Sequence, residues 1–518
     1  MNSNRHVKWI NLNGAALIVT ALLVIAAQPV KAQSQESQTS SPNLQELKEK
    51  LQRLEETMQE LKGQINAAEE RQKTSGAPIQ SKAAEQALKT PGAPSNGNSS
   101  TSNSADNKPQ NNATTSGLPA DKAADAGVEK THENVVPQPV QTSKSESSFE
   151  VYGHVMLDMG YQFGQNDPNW FDVVRPTKLP AFKDEFAPDG KTFFGVRQTR
   201  FGAKSSIPTS LGDLKTLFEF ELFGTGVDAG QTTFRLRHAY GEIGQFGAGQ
   251  TWSPFMDIDV FPNSLEYWGP NGMVFFRNLQ VRWMPIQGDS RVTIALERPG
   301  ASADQGIYAD RIELQGVKPK FDLPDLSWEA RLGKKWGYVE LAGIFRRIKW
   351  VDTNNDKFDL GRTVLGWGLN LSSNLKFGEK NVGRFQVVYG EGIENYMNDA
   401  PVDVGIKNNF GDPLRPIKGV PLPVLGVVAF LDHTWNEHFS TAAGYSLVNI
   451  SNSNAQAPNA FHQGHYALTN LLWSPVPNYT VGAEFQYGRR LNFLDGFNVN
   501  DYRMQFSFKY NFSKLFKF

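Results

Sequence analysis

The sequence predicts an all-β transmembrane barrel of about 16 antiparallel strands, preceded by an N-terminal α-helical coiled coil. Three observations predict this fold. Apolar and polar residues alternate over long segments after residue 149, short and long connections alternate between those segments, and leucines at heptad spacing lie near the N-terminus. Strict alternation gives a strand one apolar and one polar face, whereas a heptad repeat gives a helix one apolar seam.

Average composition alone would favour a soluble protein of two to four domains. The 518 residues are 39% hydrophobic and 20% charged, the formal net charge is −1 and the mean hydropathy is −0.44. These values argue against a nucleic-acid partner and against a membrane protein made of helices. The absence of cysteine excludes a disulfide scaffold, thiolate catalysis and cysteine-ligated zinc.

Residues 1–32 predict a secretory signal peptide. Arg5 and Lys8 precede an apolar run at 14–27, and Val30-Lys31-Ala32 has the small residues of a cleavage site before Gln33. A transmembrane anchor is the alternative, but a helical span needs about 20 apolar residues. A short lead, residues 33–42, follows.

Residues 43–70 predict a periplasmic coiled coil. Its apolar positions are spaced three and four residues apart: Leu44, Leu47, Leu51, Leu54, Met58, Leu61, Ile65 and Ala68. This period keeps one seam facing a partner helix, and the alternative is a lone amphipathic helix packed on a globular body. Residues 71–147 are rich in Ser, Thr, Asn, Pro and Gly, which predicts a disordered tether.

Residues 148–518 predict the barrel. Near the end of the chain, Tyr502, Met504 and Phe506 alternate with Arg503 and Gln505. A soluble β-sandwich alternates too, but many of these segments run about 10–15 residues, longer than usual strands. Seven short turns separate longer loops, near residues 208–213, 244–246, 285–290, 336–337, 377–382, 435–438 and 475–478. Such alternation is typical of outer-membrane barrels, and about 16 strands leave an aqueous lumen, so a pore is expected.

The polar faces of the strands predict a basic excess on the lumen wall. The pore-lining and substrate candidates are Arg200, Lys204, Arg235, Arg237, Arg282, Arg331, Arg362, Arg384, Arg490 and Arg503. Arginine presents a planar donor fork that matches carboxylates, and a basic ring admits anions in preference to cations. The alternative is that these charges pair with acidic neighbours such as Glu219 and Glu221 and only solvate the wall.

The loop at residues 253–273 is too apolar for a solvated tip. It carries the constriction candidates Phe255, Asp257, Asp259, Glu266 and Trp268. We expect it to fold into the lumen and narrow it. The alternative is packing against a neighbouring loop or subunit.

Catalytic and cofactor motifs do not occur in the sequence. There is no Walker loop, HExxH or GxSxG, so we expect no enzymatic activity and no cofactor. His462 and His465 are three residues apart, and on a strand such side chains point to opposite faces, so no metal site is expected.

The barrel region resembles the DcaP-like outer-membrane porins. The residues that carry this resemblance are VRQTRFG at 196–202, SLGDLKT at 210–216, RLRHAYGE at 235–242, GQTWS at 249–253 and WSPVP at 473–477. The resemblance implies a homotrimeric channel associated with dicarboxylate uptake and a coiled coil in the periplasm. The terminal Phe518 is similar to the C-terminal aromatic residue that the barrel-assembly machinery recognises.

The expected function is passive diffusion of small hydrophilic solutes, especially anions such as dicarboxylates, through the outer membrane of a Gram-negative bacterium. The alternatives are a sugar- or phosphate-selective porin and a barrel-anchored tether that binds peptidoglycan or a periplasmic partner. Outer-membrane lipid and lipopolysaccharide are expected to surround the barrel.

Overall fold

The computed structural model describes residues 146–518, so the predicted signal peptide, coiled coil and nearly all of the tether lie outside the described residues. Twenty strands are found there. They are β1 (Ser148–Gln162), β2 (Lys191–Gly195), β3 (Arg200–Thr209), β4 (Gly212–Phe223), β5 (Thr232–Ile243), β6 (Phe246–Trp252), β7 (Arg277–Ile286), β8 (Arg291–Glu297), β9 (Val317–Pro319), β10 (Asp325–Lys334), β11 (Gly337–Asp352), β12 (Arg362–Phe377), β13 (Asn381–Glu391), β14 (Val404–Asn408), β15 (Ile417–Pro421), β16 (Pro423–Thr434), β17 (Phe439–Ile450), β18 (Phe461–Val476), β19 (Tyr479–Asn492) and β20 (Asn498–Lys517).

The loops between strands contain short 3-10 turns. These are Pro168–Trp170, Pro176–Lys178, Gly226–Asp228, Ile258–Val260, Gly306–Tyr308, Ile312–Leu314 and Glu394–Tyr396. No helix in residues 146–518 has both the length and the apolar character needed to cross a membrane.

The strands form a closed antiparallel barrel. Each barrel strand pairs with its neighbours in chain order, and β20 returns to pair with β1 from Ser148↔Lys517 to Gln162↔Arg503. Closure gives every strand two partners, which removes the unpaired edge that hydrocarbon would not tolerate.

Sixteen strands cross the barrel among the described residues, because two crossings are each interrupted once. β2 and β3 both pair with β1, and β9 and β10 both pair with β11. The first interruption holds Arg197, whose buried guanidinium donates to the carbonyl oxygens of Gly224 and Gln231 at 2.8 and 3.1 Å. The remaining pair, β14 and β15, forms a separate hairpin within a loop.

The two ends of the barrel differ, as predicted. All seven predicted short turns are found, and each has two to four residues between strands. The start of β1 and the end of β20 lie at that same end, because Ser148 pairs with Lys517 and with Ser206, beside the first short turn. In outer-membrane barrels the short turns face the periplasm and the long loops face outwards.

The side chains alternate between the lumen and the outer wall. On β20, Tyr502 and Phe506 are 45% and 42% exposed on the outer wall, while Arg503 and Ser507 are fully buried inside. Apolar residues cover the outer wall of the other strands in the same way, which is the surface that lipid requires. Aromatic residues such as Trp473 lie exposed near the short turns, where interfacial girdles occur.

An apolar core lies inside the barrel, and it takes in more of the chain than the one loop that the sequence predicts to fold inwards. Three segments fold inwards from the long-loop end and are largely buried: residues 166–180, 253–276 and 392–406. Phe255, Phe275 and Tyr396 from these segments pack in one cluster with Val388 and Tyr466 of the wall. The expectation of an aqueous lumen is therefore wrong for this part of the barrel, because loop residues fill it.

Candidate functional site

The inserted loop, residues 253–276 between β6 and β7, crosses the lumen and is anchored on the opposite wall. Asp257 is fully buried and accepts hydrogen bonds from Arg331 at 2.6 Å, Tyr338 at 2.7 Å and Ser372 at 2.6 Å. Asp259 forms a second ion pair with Arg331. One wall arginine thus holds two loop carboxylates, and hydrogen bonds of this charge-assisted kind are the strong ones.

Glu266 anchors the far part of the inserted loop. Its buried carboxylate accepts from the Val174 N–H and the Tyr466 hydroxyl, both at 3.1 Å, and from the Gly269 N–H. Burial raises the pKa of Glu266 to about 7, although the backbone donors oppose this shift. Glu484 of β19 in turn accepts from the Leu265 and Glu266 N–H groups, at 2.7 and 3.0 Å.

Aromatic packing holds the loop against a neighbouring insertion. Trp268 is fully buried, meets Trp170 edge to face at 4.8 Å, and lies under the Arg175 guanidinium at 3.9 Å. Gly272 touches the barrel wall itself, because a Cβ there would come within 2.0 Å of the Leu447 carbonyl oxygen. These contacts place the loop flush against the wall, and Phe255 at its start belongs to the inner apolar core.

A β-bulge concentrates positive charge on the wall beside the loop. In the pairing of β4 with β5, Glu219 lies opposite His238 and Phe220 lies opposite Leu236, so Arg237 is an extra residue. The bulge turns Arg237 and His238 inwards one after the other, and both are buried. Bulges commonly re-aim side chains at functional sites.

Four guanidinium groups surround the Glu221 carboxylate, and we call them the arginine cluster. The nitrogen-to-oxygen distances to its carboxylate are 3.4 Å for Arg200, 3.5 Å for Arg235, 2.9 Å for Arg237 and 3.8 Å for Arg277. Glu219 adds a second carboxylate that pairs with Arg200 and Arg237. Four cations therefore share two anions, and the cluster carries a formal excess of two positive charges.

The inserted loop closes over the arginine cluster. Its Tyr267 hydroxyl donates to Glu221, and its ring stacks on Phe223 with centroids 3.9 Å apart. Within residues 146–518, Nη2 of Arg235 and Nη1 of Arg277 find no hydrogen-bond acceptor although both are buried. Unmatched donors of this kind favour binding of an anionic acceptor.

A cavity of about 430 Å³ lies between the inserted loop and the short-turn end of the barrel. Five basic and four acidic residues line it: Arg200, Lys204, Lys215, Arg282 and Arg291, and Glu150, Glu219, Glu242 and Glu329. Lys204 pairs with Glu150 at 3.0 Å and remains partly exposed. The cluster thus lies at the junction of the cavity and the loop.

The other predicted lumen residues are spread around the wall. Arg384 binds Asp432 at 2.6 Å, Arg490 donates to the Leu179 carbonyl at 3.2 Å, and Arg503 lies over the Phe193 ring at 3.9 Å. Each of these guanidinium groups contacts an inserted segment or a neighbouring strand. Arg362 is exposed at the start of β12, where it donates to the Gly419 carbonyl at 3.0 Å, so it does not join the cavity.

Two residues at this site, Arg277 of the arginine cluster and Tyr267 of the inserted loop, are not predicted by the sequence pattern. Arg277 begins β7, and counting back from Arg282 by twos places it on the outer face, yet the strand end turns it inwards. Tyr267 belongs to an irregular loop with no periodicity. The sequence did offer one signal for Tyr267: it lies between Glu266 and Trp268, in a loop that was already expected to fold inwards.

The two histidines near residue 462 do not assemble a metal site. The His462 ring meets Asn452 Oδ1 at 2.9 Å, and His465 pairs with the Tyr445 hydroxyl. No cluster of three or more His, Asp or Glu suited to a metal ion occurs in the part of the chain that the structure describes.

A closed 16-strand barrel with short turns at one end, an apolar outer wall and an inserted loop defines an outer-membrane porin of Gram-negative bacteria. The model of the DcaP outer membrane protein family matches residues 106–512. The chain belongs to this family, which confirms the resemblance noted in the sequence. No curated protein matches the chain in sequence.

The chain is similar to several solved outer-membrane structures. The outer membrane channel DcaP of Acinetobacter baumannii is 18% identical, with a TM-score of 0.59 over 72% of this chain and 99% of that chain. An anion-selective porin from Comamonas acidovorans is 11% identical, with a TM-score of 0.46 over 71% of this chain and all of that one. OmpT of Vibrio cholerae is 13% identical, with a TM-score of 0.43 over 72% and 100%.

Proposed function

We propose that this protein is a passive, anion-preferring porin for small hydrophilic solutes, with dicarboxylates as its best substrates, and that it acts as a homotrimer. The observation that carries the proposal is the arginine cluster. It lies beside the inserted loop, borders the cavity, and holds two more positive charges than negative ones.

The charge of the cluster suits a solute with two carboxylates. Arginine forks bind carboxylates through paired N–H donors, and the unmatched donors of Arg235 and Arg277 offer such contacts. Conduction also requires that binding be weak enough for release. Glu219 and Glu221 meet this need, because they already occupy part of the cluster and compete with the solute.

Pairing of charges within the wall is the competing account, and the ion pairs of Arg331 and Arg384 illustrate it. The arginine cluster differs from these because its cations outnumber its anions. Membership of the DcaP family supports the proposed homotrimer. We propose passive transport, and not catalysis, as the activity of the barrel.

Liposome swelling tests the choice of solute. Proteoliposomes that contain the full chain should swell faster in disodium succinate than in glucose. The Arg235→Gln/Arg277→Gln variant should lose that preference, because it cancels the excess charge and leaves Arg200 and Arg237 to neutralise the two glutamates. Equal rates for succinate and glucose, or faster swelling in sugar, would contradict the proposal and favour a sugar-selective porin.

Lys376→Gln/Lys380→Gln is the matched control. Both lysines are exposed beside a short turn, so this variant removes the same number of charges away from the cluster. It should keep the succinate preference of the unmodified protein.

A further inference from the structure

A basic patch lies on the outer wall of the barrel at the long-loop end. It consists of Arg298, Lys318, Lys320, Arg347 and Lys349. The pairing of β9 with β11 brings the lysines together. Lys318 lies opposite Val351, two residues after Lys349 on β11, and the Lys320 N–H donates to the Lys349 carbonyl at 2.9 Å. We call this group the outer basic patch.

Asp322 is the carboxylate that pairs with the patch. It accepts from Arg347 and Lys349, each at 3.0 Å. The hydrogen bond from Lys349 lowers the pKa of Asp322, so this carboxylate is ionised. Five cations against one anion leave a formal excess of four positive charges on an exposed surface.

The outer basic patch follows directly on the apolar belt. On β11 the outward residues run Leu341, Phe345, Arg347 and Lys349, and Phe345 is 50% exposed. Two residues of a strand span about 7 Å, so positive charge begins within one such step of the lipid-facing surface. That is the level at which lipid headgroups lie.

An apolar groove opens beneath the same patch. It has a volume of about 590 Å³ and lies on the outer wall of β6, β7 and β8. Ala248, Leu279, Leu296 and Leu323 line it, and Arg298 lies at its rim with Asp322. The groove and the outer basic patch therefore share their border residues.

We propose that this face binds a phosphorylated glycolipid of the outer leaflet, with its phosphates on the outer basic patch and one acyl chain in the groove. The orientation of the barrel points the patch outwards, since the long loops and the patch are at the same end. Basic clusters at the headgroup level recognise anionic lipids, and phosphate is matched by both arginine and lysine.

A second copy of this chain is the other possible occupant. The formal excess of four positive charges disfavours it unless the partner surface is acidic. An apolar groove below a basic rim instead matches one molecule that has anionic heads and apolar tails.

Native mass spectrometry of the full chain in detergent, titrated with diphosphoryl lipid A, tests the proposal. The Lys318→Gln/Lys320→Gln/Arg347→Gln/Lys349→Gln variant should bind about tenfold or more weakly, since each basic residue near an anionic headgroup adds to affinity. Ala248→Trp, which fills the groove and leaves the patch intact, should also weaken binding. Dephosphorylated lipid A should bind weakly to the unmodified protein.

The control removes four lysines from the short-turn end: Lys334→Gln/Lys335→Gln/Lys376→Gln/Lys380→Gln. It should bind lipid A within about twofold of the unmodified protein, because these lysines lie at the opposite end of the barrel. All variants should keep the heat-modifiable migration of a folded barrel.

Equal lipid A binding by the patch variant and the unmodified protein would overturn the proposal. Dissociation of the oligomer in the patch variant with lipid binding unchanged would overturn it too, and would identify the face as a subunit contact.

Discussion

Asp257→Asn should loosen the inserted loop without unfolding the barrel. The substitution removes the charge that Arg331 contacts at 2.6 Å and sets an amide donor against a guanidinium donor. Breaking a buried ion pair costs about 3–5 kcal/mol, and the lower figure applies because Arg331 keeps Glu340 at 2.5 Å. About 3 kcal/mol corresponds to a shift of roughly a hundredfold in the docking equilibrium.

Single-channel recording in planar bilayers measures this shift. The variant should show wide, short-lived openings whose total dwell time is about a hundredfold greater than in the unmodified protein. Asp359→Asn is the control, because Asp359 pairs with Arg415 on an exposed loop and such pairs contribute about 0–1 kcal/mol. A conductance trace of Asp257→Asn that matches the control would refute the view that this carboxylate fixes the loop.

Burial raises the pKa of Glu266 from its ordinary value of 4.5 to about 7. Docking of the inserted loop is therefore strongest below pH 4.5 and weakens as the pH rises through 7. Wide openings should be more frequent at pH 8 than at pH 5, and Glu266→Gln should remove that pH dependence. Trp268→Ala should cost about 3–5 kcal/mol and lower the temperature of the heat-modifiable transition, whereas Trp473→Ala on the outer wall should lower it less. Leu369→Arg, on the lipid face in the middle of β12, should cost about 2–4 kcal/mol in urea unfolding from lipid, whereas Phe377→Arg, on the same face at the short-turn end of β12, should cost only about 0–1 kcal/mol.

The barrel was predictable because its surface is periodic. Alternation with period two gave the outward residues of β20, and the seven short turns were each marked by a break in that alternation. The strand count follows from these turns alone. The apolar content of residues 253–273 also predicted an inward fold for that loop, since Phe255 and Trp268 would be poorly placed in water.

The filling of the lumen was not predictable, because irregular loops carry no period. Whether residues 166–180 fold inwards depends on partners far along the chain, such as Asp399, which binds Arg175 at 2.9 Å. Strand ends fail for a related reason: counting by twos would place Arg277 on the outer face, and it does not show that Arg362 is exposed at the start of β12 and donates to the Gly419 carbonyl. The bulge at Arg237 exists only in the pairing of two strands, so the sequence of one strand does not reveal it.

The proposed function requires that the arginine cluster make the pore prefer anions. The reversal potential in a tenfold KCl gradient across a planar bilayer tests it most directly. The unmodified protein should give the sign of a chloride-selective channel, and Arg235→Gln/Arg277→Gln should move the potential towards zero while Lys376→Gln/Lys380→Gln leaves it unchanged. A cation-selective potential in the unmodified protein, or one that the arginine substitutions do not move, would contradict the account.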